Sequence, residues 1–164
     1  MTTSELDTIK AQVLDKHRSL EKPDFHFRWD VINHRPYTRL IDELLTHFFI
    51  KDVTDLNQDG SFVYLIEQDR DRQWKLQISM VGPYAVLFRL AQPLPTLIDE
   101  SVLKGSDTEI VILRILLKHH VQLLDEPTLI ERFPLKLDYA DDQNVRLYQV
   151  LFTDTDSLPW QRHS

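Results

Sequence analysis

Glycine occurs only three times in this chain of 164 residues, at Gly60, Gly82 and Gly105. A loop that cradles a phosphate with its backbone N–H groups needs several closely spaced glycines, because the main chain has to approach the ligand without Cβ atoms in the way. These glycines are too far apart for a GxGxxG or GxxxxGK[ST] loop, and no GxSxG nucleophile elbow occurs. The sequence therefore predicts a protein without a cofactor, whose function lies in its surface side chains.

Length and composition predict one globular domain over residues 1–164. Apolar residues make up 42% of the chain and charged residues 27%, which is ordinary for a globular protein. The absence of cysteine excludes disulfides and thiolate metal sites. No apolar run is long enough for a membrane span, and residues 1–5 lack the features of a secretory signal. We therefore expect a cytoplasmic protein that does not bind membranes.

The charge balance indicates which partners to expect. The net charge is −7, and the basic residues are scattered instead of clustered. Nucleic-acid binding requires clustered Lys and Arg, so we expect no nucleic-acid partner. Acidic residues become denser toward the C-terminus, where they can steer association with a basic protein. The carboxylates that we predict to contact such a partner are Asp138, Asp141, Asp142, Asp154 and Asp156.

Hydrophobic periodicity predicts the elements of the first half of the chain. A narrow apolar stripe favours a helix over residues 3–20, and strict alternation favours a strand over 25–31. The clearest amphipathic helix follows Pro36 and runs over 37–49. Three strands with short turns then predict an antiparallel meander over 61–68, 73–80 and 84–90.

The second half is predicted to add a helix and two strands. The capping box that begins at Ser106 opens a broadly apolar helix that extends to about residue 124. A short helical turn over 128–132 and two strands over 134–140 and 144–152 follow. The predicted order is α-β-α-β-β-β-α-β-β. We thus expect an α+β fold, with an antiparallel sheet of about five to six strands and helices mainly on one face.

The segment 55–60 resembles the first half of an EF-hand calcium loop. Asp55, Asn57 and Asp59 occupy the first three ligand positions, and Gly60 occupies the sharp turn. The twelfth position, where the bidentate acid belongs, is Ile66, and Glu67 comes one residue late. The favoured interpretation is an Asx-rich turn that leads into a strand, although the sequence leaves calcium binding at Asp55–Asp59 open.

Histidines and paired carboxylates show no spacing that is typical of a catalytic or metal site. His119 and His120 are adjacent, so on a helix they point in different directions, and no HExxH pattern occurs. We therefore assign no catalytic and no metal-binding residue. An enzyme whose histidines and carboxylates come together only in the folded chain remains the third alternative.

Trp160 is the aromatic residue that we predict to anchor a partner. It follows the polar segment 153–157 near the C-terminus, where little core is expected. Tryptophan is enriched among the residues that dominate binding energy at protein interfaces. The alternative interpretation is that Trp160 folds back onto the sheet.

Residues 37–90 resemble the opening of class I type III secretion chaperones, an amphipathic helix followed by a three-stranded meander. A second helix and two strands come next in that family, and this chain is predicted to have them as well. The resemblance implies a small acidic dimer that binds an extended effector segment. The extra N-terminal helix and strand, and the absence of a predicted closing helix after Phe152, depart from that family. A homodimer and a chaperone-like adaptor are therefore the alternative prediction.

The chain is also similar in size, acidity and lack of catalytic motifs to immunity proteins of bacterial contact-dependent and polymorphic toxin systems. By analogy, that similarity implies a cytosolic α+β domain that neutralises a basic toxin domain by covering its active site. Our preferred sequence-based hypothesis is a non-catalytic immunity protein. Its acidic side chains would occupy the substrate-phosphate site of a nuclease.

Overall fold

The computed structural model describes residues 3–99 and 107–162. Within them the chain has an α+β fold with a six-stranded, mostly antiparallel sheet and six α-helices. The helices are α1 (Thr3–His17), α2 (Phe27–His34), α3 (Thr38–Leu45), α4 (Asp107–Lys118), α5 (Glu126–Leu129) and α6 (Leu147–Leu151). The strands are β1 (Phe49–Asp52), β2 (Ser61–Asp69), β3 (Arg72–Ser79), β4 (Tyr84–Leu90), β5 (Thr96–Ile98) and β6 (Gln122–Leu123).

The sheet is built around the β2–β3–β4 meander, and its strand order is β1-β2-β3-β4-β5. Neighbours along this order are antiparallel, whereas β6 pairs with the start of β4 in parallel. The predicted α+β class and the predicted meander are confirmed. The meander is defined by β-forming residues and by two short turns, which are both local signals.

Helices pack on both faces of the sheet, whereas the sequence predicted helices mainly on one face. Alternate residues of β4 face opposite sides, so Val86 and Phe88 contact one core while Leu87 contacts the other. The first core contains buried residues of α1 and α6, and the second contains buried residues of α3 and α4. The continuous apolar run in β4 is typical of a strand that is buried on both faces.

The predicted strand 25–31 is wrong, because α2 begins at Phe27. The side chain of Asp24 accepts the backbone N–H of His26 at 2.9 Å, and the N–H of Arg28 donates to the carbonyl of Phe25 at 3.1 Å. These local bonds start a helical turn without any strand partner. The ring of His17 contacts those of Phe25 and Phe27 edge-on. Both phenylalanines of the alternating pattern therefore pack on α1, which ends at residue 17 instead of 20.

The second predicted helix, 37–49, is shorter than its apolar pattern suggests. Helix α3 ends at Leu45, and the Thr46 hydroxyl donates to the carbonyl of Glu43 at 2.7 Å. The chain then enters β1, an edge strand whose first residue, Phe49, is 77% exposed. A helix pattern and a short edge strand overlap here, and pairing with β2 decides the outcome.

The helix that was predicted to extend to about residue 124 is α4, and it ends at Lys118. His120 adopts a left-handed conformation with φ 60°, which turns the chain toward β6. The predicted turn 128–132 falls slightly later than α5. Gly105 and the capping residue Ser106 lie outside the described residues.

The two predicted C-terminal strands, 134–140 and 144–152, are both wrong. Residues 134–137 have no regular structure, and α6 occupies the centre of the second segment. All five residues of α6 are buried, and four of them are apolar or aromatic, so the segment resembles a buried strand in sequence. The helix is favoured by a local bond, in which the N–H of Arg146 donates to the side chain of Gln149 at 3.0 Å.

Buried hydrogen bonds fix α6 against the sheet. The Tyr148 hydroxyl donates to the side-chain oxygen of Gln77 in β3 at 3.1 Å. The Ser61 hydroxyl of β2 donates to the carbonyl of Phe152 at 2.8 Å. These bonds join the end of the chain to the central strands, and they position the loop that precedes α6.

Candidate functional site

Five consecutive residues, Asp138–Asp142, lie between α5 and α6 and are exposed apart from Ala140. We call this segment the acidic loop. Asp138, Asp141 and Asp142 are exposed, and Tyr139 between them is 63% exposed. None of the described residues donates a hydrogen bond to these three carboxylates or to the Tyr139 hydroxyl. The loop therefore presents an aromatic ring and three negative charges to solvent.

Asp154 holds the backbone of the acidic loop in one conformation. Its carboxylate accepts the N–H groups of Asp138 at 2.9 Å, Tyr139 at 3.0 Å and Ala140 at 2.7 Å. Three successive amides thus converge on one carboxylate, whose residue is only 7% exposed. Hydrogen bonds to a charged acceptor are stronger than neutral ones. Asp154 therefore lies on the inner side of the acidic loop and binds its backbone. Contact of Asp154 with a partner stays a prediction.

The carboxylate of Asp156 binds the next backbone N–H group of the acidic loop. It accepts the N–H of Asp141 at 2.7 Å and the side-chain N–H of Asn144 at 3.2 Å. The bond from Asp141 lowers the pKa of Asp156, and the bond from Asn144 adds to the effect. Four successive backbone N–H groups, from residue 138 to residue 141, are therefore bound by two carboxylates from one short segment.

A half-buried arginine lies behind the loop. Burial lowers the pKa of Arg28, and the negative charges around it oppose that effect. The carboxylates that do so are Asp154, Asp138 and Asp59. The guanidinium also lies 4.6 Å from the centre of the Phe25 ring. The positive charge of Arg28 thus offsets part of the negative charge on the inner side of the loop. Asp141 and Asp142 remain exposed on its outer side.

On its outer side the loop borders a small groove. Asp142 lines this groove together with Lys22 and Lys136, and its volume is about 460 Å³. The backbone N–H of Lys136 donates to the carbonyl of Leu20 at 2.9 Å. The segment that leads into the acidic loop is therefore bonded to the segment that follows α1.

Trp160 is half-buried and packs against the core instead of standing at the surface of the loop. Its ring stacks on Phe88 with centroids 5.8 Å apart and meets Tyr148 edge-on at 5.3 Å. Its indole N–H donates to the carboxylate of Glu126 at 2.7 Å. These contacts favour the alternative in which Trp160 folds back onto the sheet. Contact of Trp160 with a partner stays a prediction.

The exposed aromatic residue of the site is Tyr139, which sequence reasoning missed. The signal was present, since Tyr139 stands between Asp138 and the pair Asp141-Asp142. It was assigned to a strand, in which alternate residues face the core. The aromatic residue closest to the acidic cluster in sequence was therefore overlooked in favour of Trp160.

The calcium-like segment forms an Asx turn. Asp55 accepts the N–H of Asn57 at 3.0 Å, and Asp59 accepts the N–H of Asp55 at 2.8 Å. Burial raises the pKa of Asp59, although its hydrogen bonds act in the opposite direction. Over residues 3–99 and 107–162, no three His, Cys, Asp or Glu side chains come together as metal ligands would.

Two histidines take structural positions away from the loop. Burial lowers the pKa of His17 to about 4, and its ring donates from Nδ1 to the carbonyl of Val13 at 2.7 Å. His119 lies 3.1 Å from Glu43, which also binds Lys118 at 2.8 Å. The bonds from Lys118 and His119 lower the pKa of Glu43. This ion cluster links α3 to α4.

Comparison with protein families, with curated proteins and with solved structures finds no match to this chain. The site is therefore interpreted from its own geometry. In the described part of the chain, no helix has the length and apolar character that crossing a membrane requires.

Proposed function

We propose that this protein is a non-catalytic binding domain that neutralises a basic toxin domain, in the manner of an immunity protein. The observation that carries this proposal is the acidic loop, in which Tyr139 is exposed among three exposed carboxylates on a backbone fixed by Asp154. The loop supplies both an aromatic anchor and a local excess of negative charge.

The rigidity of the loop favours tight binding. A flexible loop loses conformational entropy when it binds, whereas a loop that is already fixed avoids much of that cost. Here the backbone from residue 138 to residue 141 is held by side chains of the same domain before any partner arrives. The free and bound conformations of the loop are therefore expected to be the same.

Charge and aromatic contact have different roles in the proposed complex. Carboxylates on the surface raise the association rate with a basic partner, and salt screens their effect. Tyrosine is enriched among hot-spot residues, because it buries a large ring and keeps a hydroxyl for a hydrogen bond. We thus assign steering to Asp138, Asp141 and Asp142, and slow dissociation to Tyr139.

The proposed mechanism is occlusion of the active site of the toxin. If the toxin domain is a nuclease, its phosphate-binding residues are basic, and the acidic loop takes the place of the substrate phosphates. The complex would form in the cytoplasm, where such a toxin acts. This step rests on the analogy with immunity proteins.

The experiment captures partners on the immobilised protein at low and high salt and compares three forms. The first is the wild type, and the second is D138N/D141N/D142N, which removes the exposed charge of the loop. The third is D7N/D15N/D30N, which changes net charge equally at exposed aspartates of α1 and α2. We expect a basic partner that the wild type and the control retain at low salt, and that the loop variant loses.

The captured protein is then expressed alone and together with each form in a bacterial host. Toxicity that the wild type and the D7N/D15N/D30N control suppress, but D138N/D141N/D142N does not, would support the proposal. Equal capture by the loop variant and the control would overturn it. A captured partner that is not toxic would also overturn it.

A further inference from the structure

A cleft of about 610 Å³ opens between α3 and the edge of the sheet, away from the acidic loop. Its apolar wall includes Ile41 and Leu45 from α3 and Ile50 from β1. Leu45 is 51% exposed, and Leu56 at the rim is 52% exposed. An apolar side chain from outside can therefore enter without displacing any part of the chain.

The strand beside this cleft, β1, has an open edge. Its hydrogen-bonding partner is β2, and among the described residues no strand pairs with its other side. The N–H of Val53 donates to the carbonyl of Val63 in β2 at 2.8 Å. Backbone groups alternate in direction along an antiparallel strand, so those of Ile50 and Asp52 point away from β2. An extended backbone can pair with these two residues.

We propose that the cleft and the open edge of β1 together bind an extended segment of a partner protein, which adds to the sheet as a further strand. Main-chain hydrogen bonds to Ile50 and Asp52 would supply affinity. Alternate side chains of the segment would face the cleft and supply specificity. The proposal does not depend on the acidic loop, which lies elsewhere in the fold.

The charge of the side chains that line the cleft indicates which residues the bound segment should contain. Asp42 and Asp52 line it together with Arg35, which leaves one negative charge in excess. Asp52 already accepts bonds from Thr54, at 2.9 Å from the backbone and 2.7 Å from the hydroxyl. The Asp42 carboxylate accepts no hydrogen bond from any residue in the described ranges. The segment therefore places an apolar side chain in the cleft and a Lys or Arg two positions away, opposite Asp42.

A second copy of the chain fits this edge less well. Antiparallel pairing that uses both outward residues would place Ile50 opposite Asp52 of the other copy, and Lys51 opposite Lys51. Like charges that face each other directly across two strands are destabilising. If the register shifts in one direction, Asp52 faces Asp52 of the other copy. If it shifts in the other direction, Ile50 pairs and Asp52 has no partner in the second strand. The net charge of −7 on each copy adds to the repulsion.

The experiment selects phage-displayed random octapeptides on the folded protein. We expect a consensus with an apolar residue and a Lys or Arg two positions apart. The consensus peptide, labelled with fluorescein, is then titrated by fluorescence anisotropy. Methylation of a backbone nitrogen that faces β1 should weaken binding about tenfold, which is the worth of one net hydrogen bond.

Variants of the protein locate the peptide. Leu45→Glu should abolish binding, and Asp42→Asn should weaken it up to about fivefold, which is typical of an exposed ion pair. Leu117→Glu is the matched control, since Leu117 is 53% exposed and lies outside the cleft. D138N/D141N/D142N should bind the peptide like the wild type, which separates this proposal from the function of the acidic loop.

Three results would overturn the proposal. The first is selection that yields no such consensus, or peptides that do not bind at about 1 mM. The second is binding that is insensitive to Leu45→Glu or to backbone methylation. The third is a dimer in sedimentation experiments that Leu45→Glu dissociates, because it would assign this edge to a second copy.

Discussion

Gly60 lies directly against the guanidinium of Arg28. A Cβ atom at Gly60 would be 2.8 Å from Nη2 and 3.1 Å from Cζ of Arg28, closer than van der Waals contact allows. Arg28 has little room to move, because its Nε is buried and its guanidinium lies over the Phe25 ring. The neighbouring side chain therefore leaves little space for a methyl group at Gly60.

We therefore expect Gly60→Ala to destabilise the protein by about 1 kcal/mol, which is the low end for overpacking. Urea denaturation measures the change in the free energy of unfolding. In a double-mutant cycle, Arg28→Lys should relieve part of this cost, because the shorter head group leaves room for the methyl group. Strictly additive effects of the two substitutions would contradict the contact.

Asp154→Ala should destabilise the protein by about 3 kcal/mol, because it leaves three backbone N–H groups without their acceptor. Asp156→Ala is the comparison, and its effect should be clearly smaller because Asp156 is exposed. Chemical denaturation gives the two stabilities. Hydrogen exchange should show that the amides of residues 138–140 lose protection in Asp154→Ala. Unchanged protection would mean that Asp154 does not hold the loop.

The stability of the fold should depend on pH through His17. Burial lowers the pKa of His17 from 6.5 to about 4, so the unfolded chain binds the proton more readily than the folded one. The stabilisation is complete above pH 6.5 and is lost as the pH falls toward 4. The loss amounts to about 3 kcal/mol, since each pKa unit corresponds to about 1.4 kcal/mol.

Urea denaturation of the wild type and of His17→Leu between pH 7.5 and about pH 4 isolates this contribution. The stability difference between the two should move in favour of the variant as the pH falls. His26→Gln is the control, because His26 is exposed, and it should follow the wild type. A parallel pH dependence of wild type and His17→Leu would contradict a buried neutral His17.

Replacement by alanine should lower the stability much more at Trp160 than at Trp29. Trp160→Ala should cost about 2 kcal/mol of stability, because the indole contacts Phe88, Tyr148 and Glu126. Trp29 is 57% exposed, so Trp29→Ala should change stability by less than about 0.5 kcal/mol. Thermal or urea denaturation distinguishes the two. A stable Trp160→Ala variant that fails to bind its partner would restore Trp160 as an interface anchor.

The central meander was predictable because its signals are local. The turns after β2 and β3 are short, and the strand bounds differ from the predicted ones by about a residue. Helices α2 and α6 were not predictable in this way. Their patterns, alternation at Phe25–Phe27 and a mostly apolar, fully buried α6, fit a strand as well as a helix. Contacts with residues distant in sequence decide between the two.

The candidate site was predictable in composition but not in arrangement. The sequence indicated a C-terminal concentration of aspartates, and the fold brings Asp138–Asp142 together with Asp154 and Asp156. Which carboxylates face solvent and which bind the backbone depends on the path of the chain after α6. A side chain that binds amides so distant in sequence leaves no periodic signal.

The buried pair of Gln77 and Tyr148 has a consequence for the uniformity of the folded molecules. Apolar packing alone defines the position of a helix less uniquely than packing that includes a buried hydrogen bond, because that bond is satisfied in one placement only. The bond between Gln77 and Tyr148 therefore helps to fix a single position for α6 on the sheet. Tyr148→Phe removes this bond but leaves the one from Ser61 to Phe152, so α6 should stay on the sheet in a less uniquely fixed position, which would broaden the NMR signals of Tyr139 and its neighbours. A residue in the interior of the protein thus decides whether all molecules present the same surface.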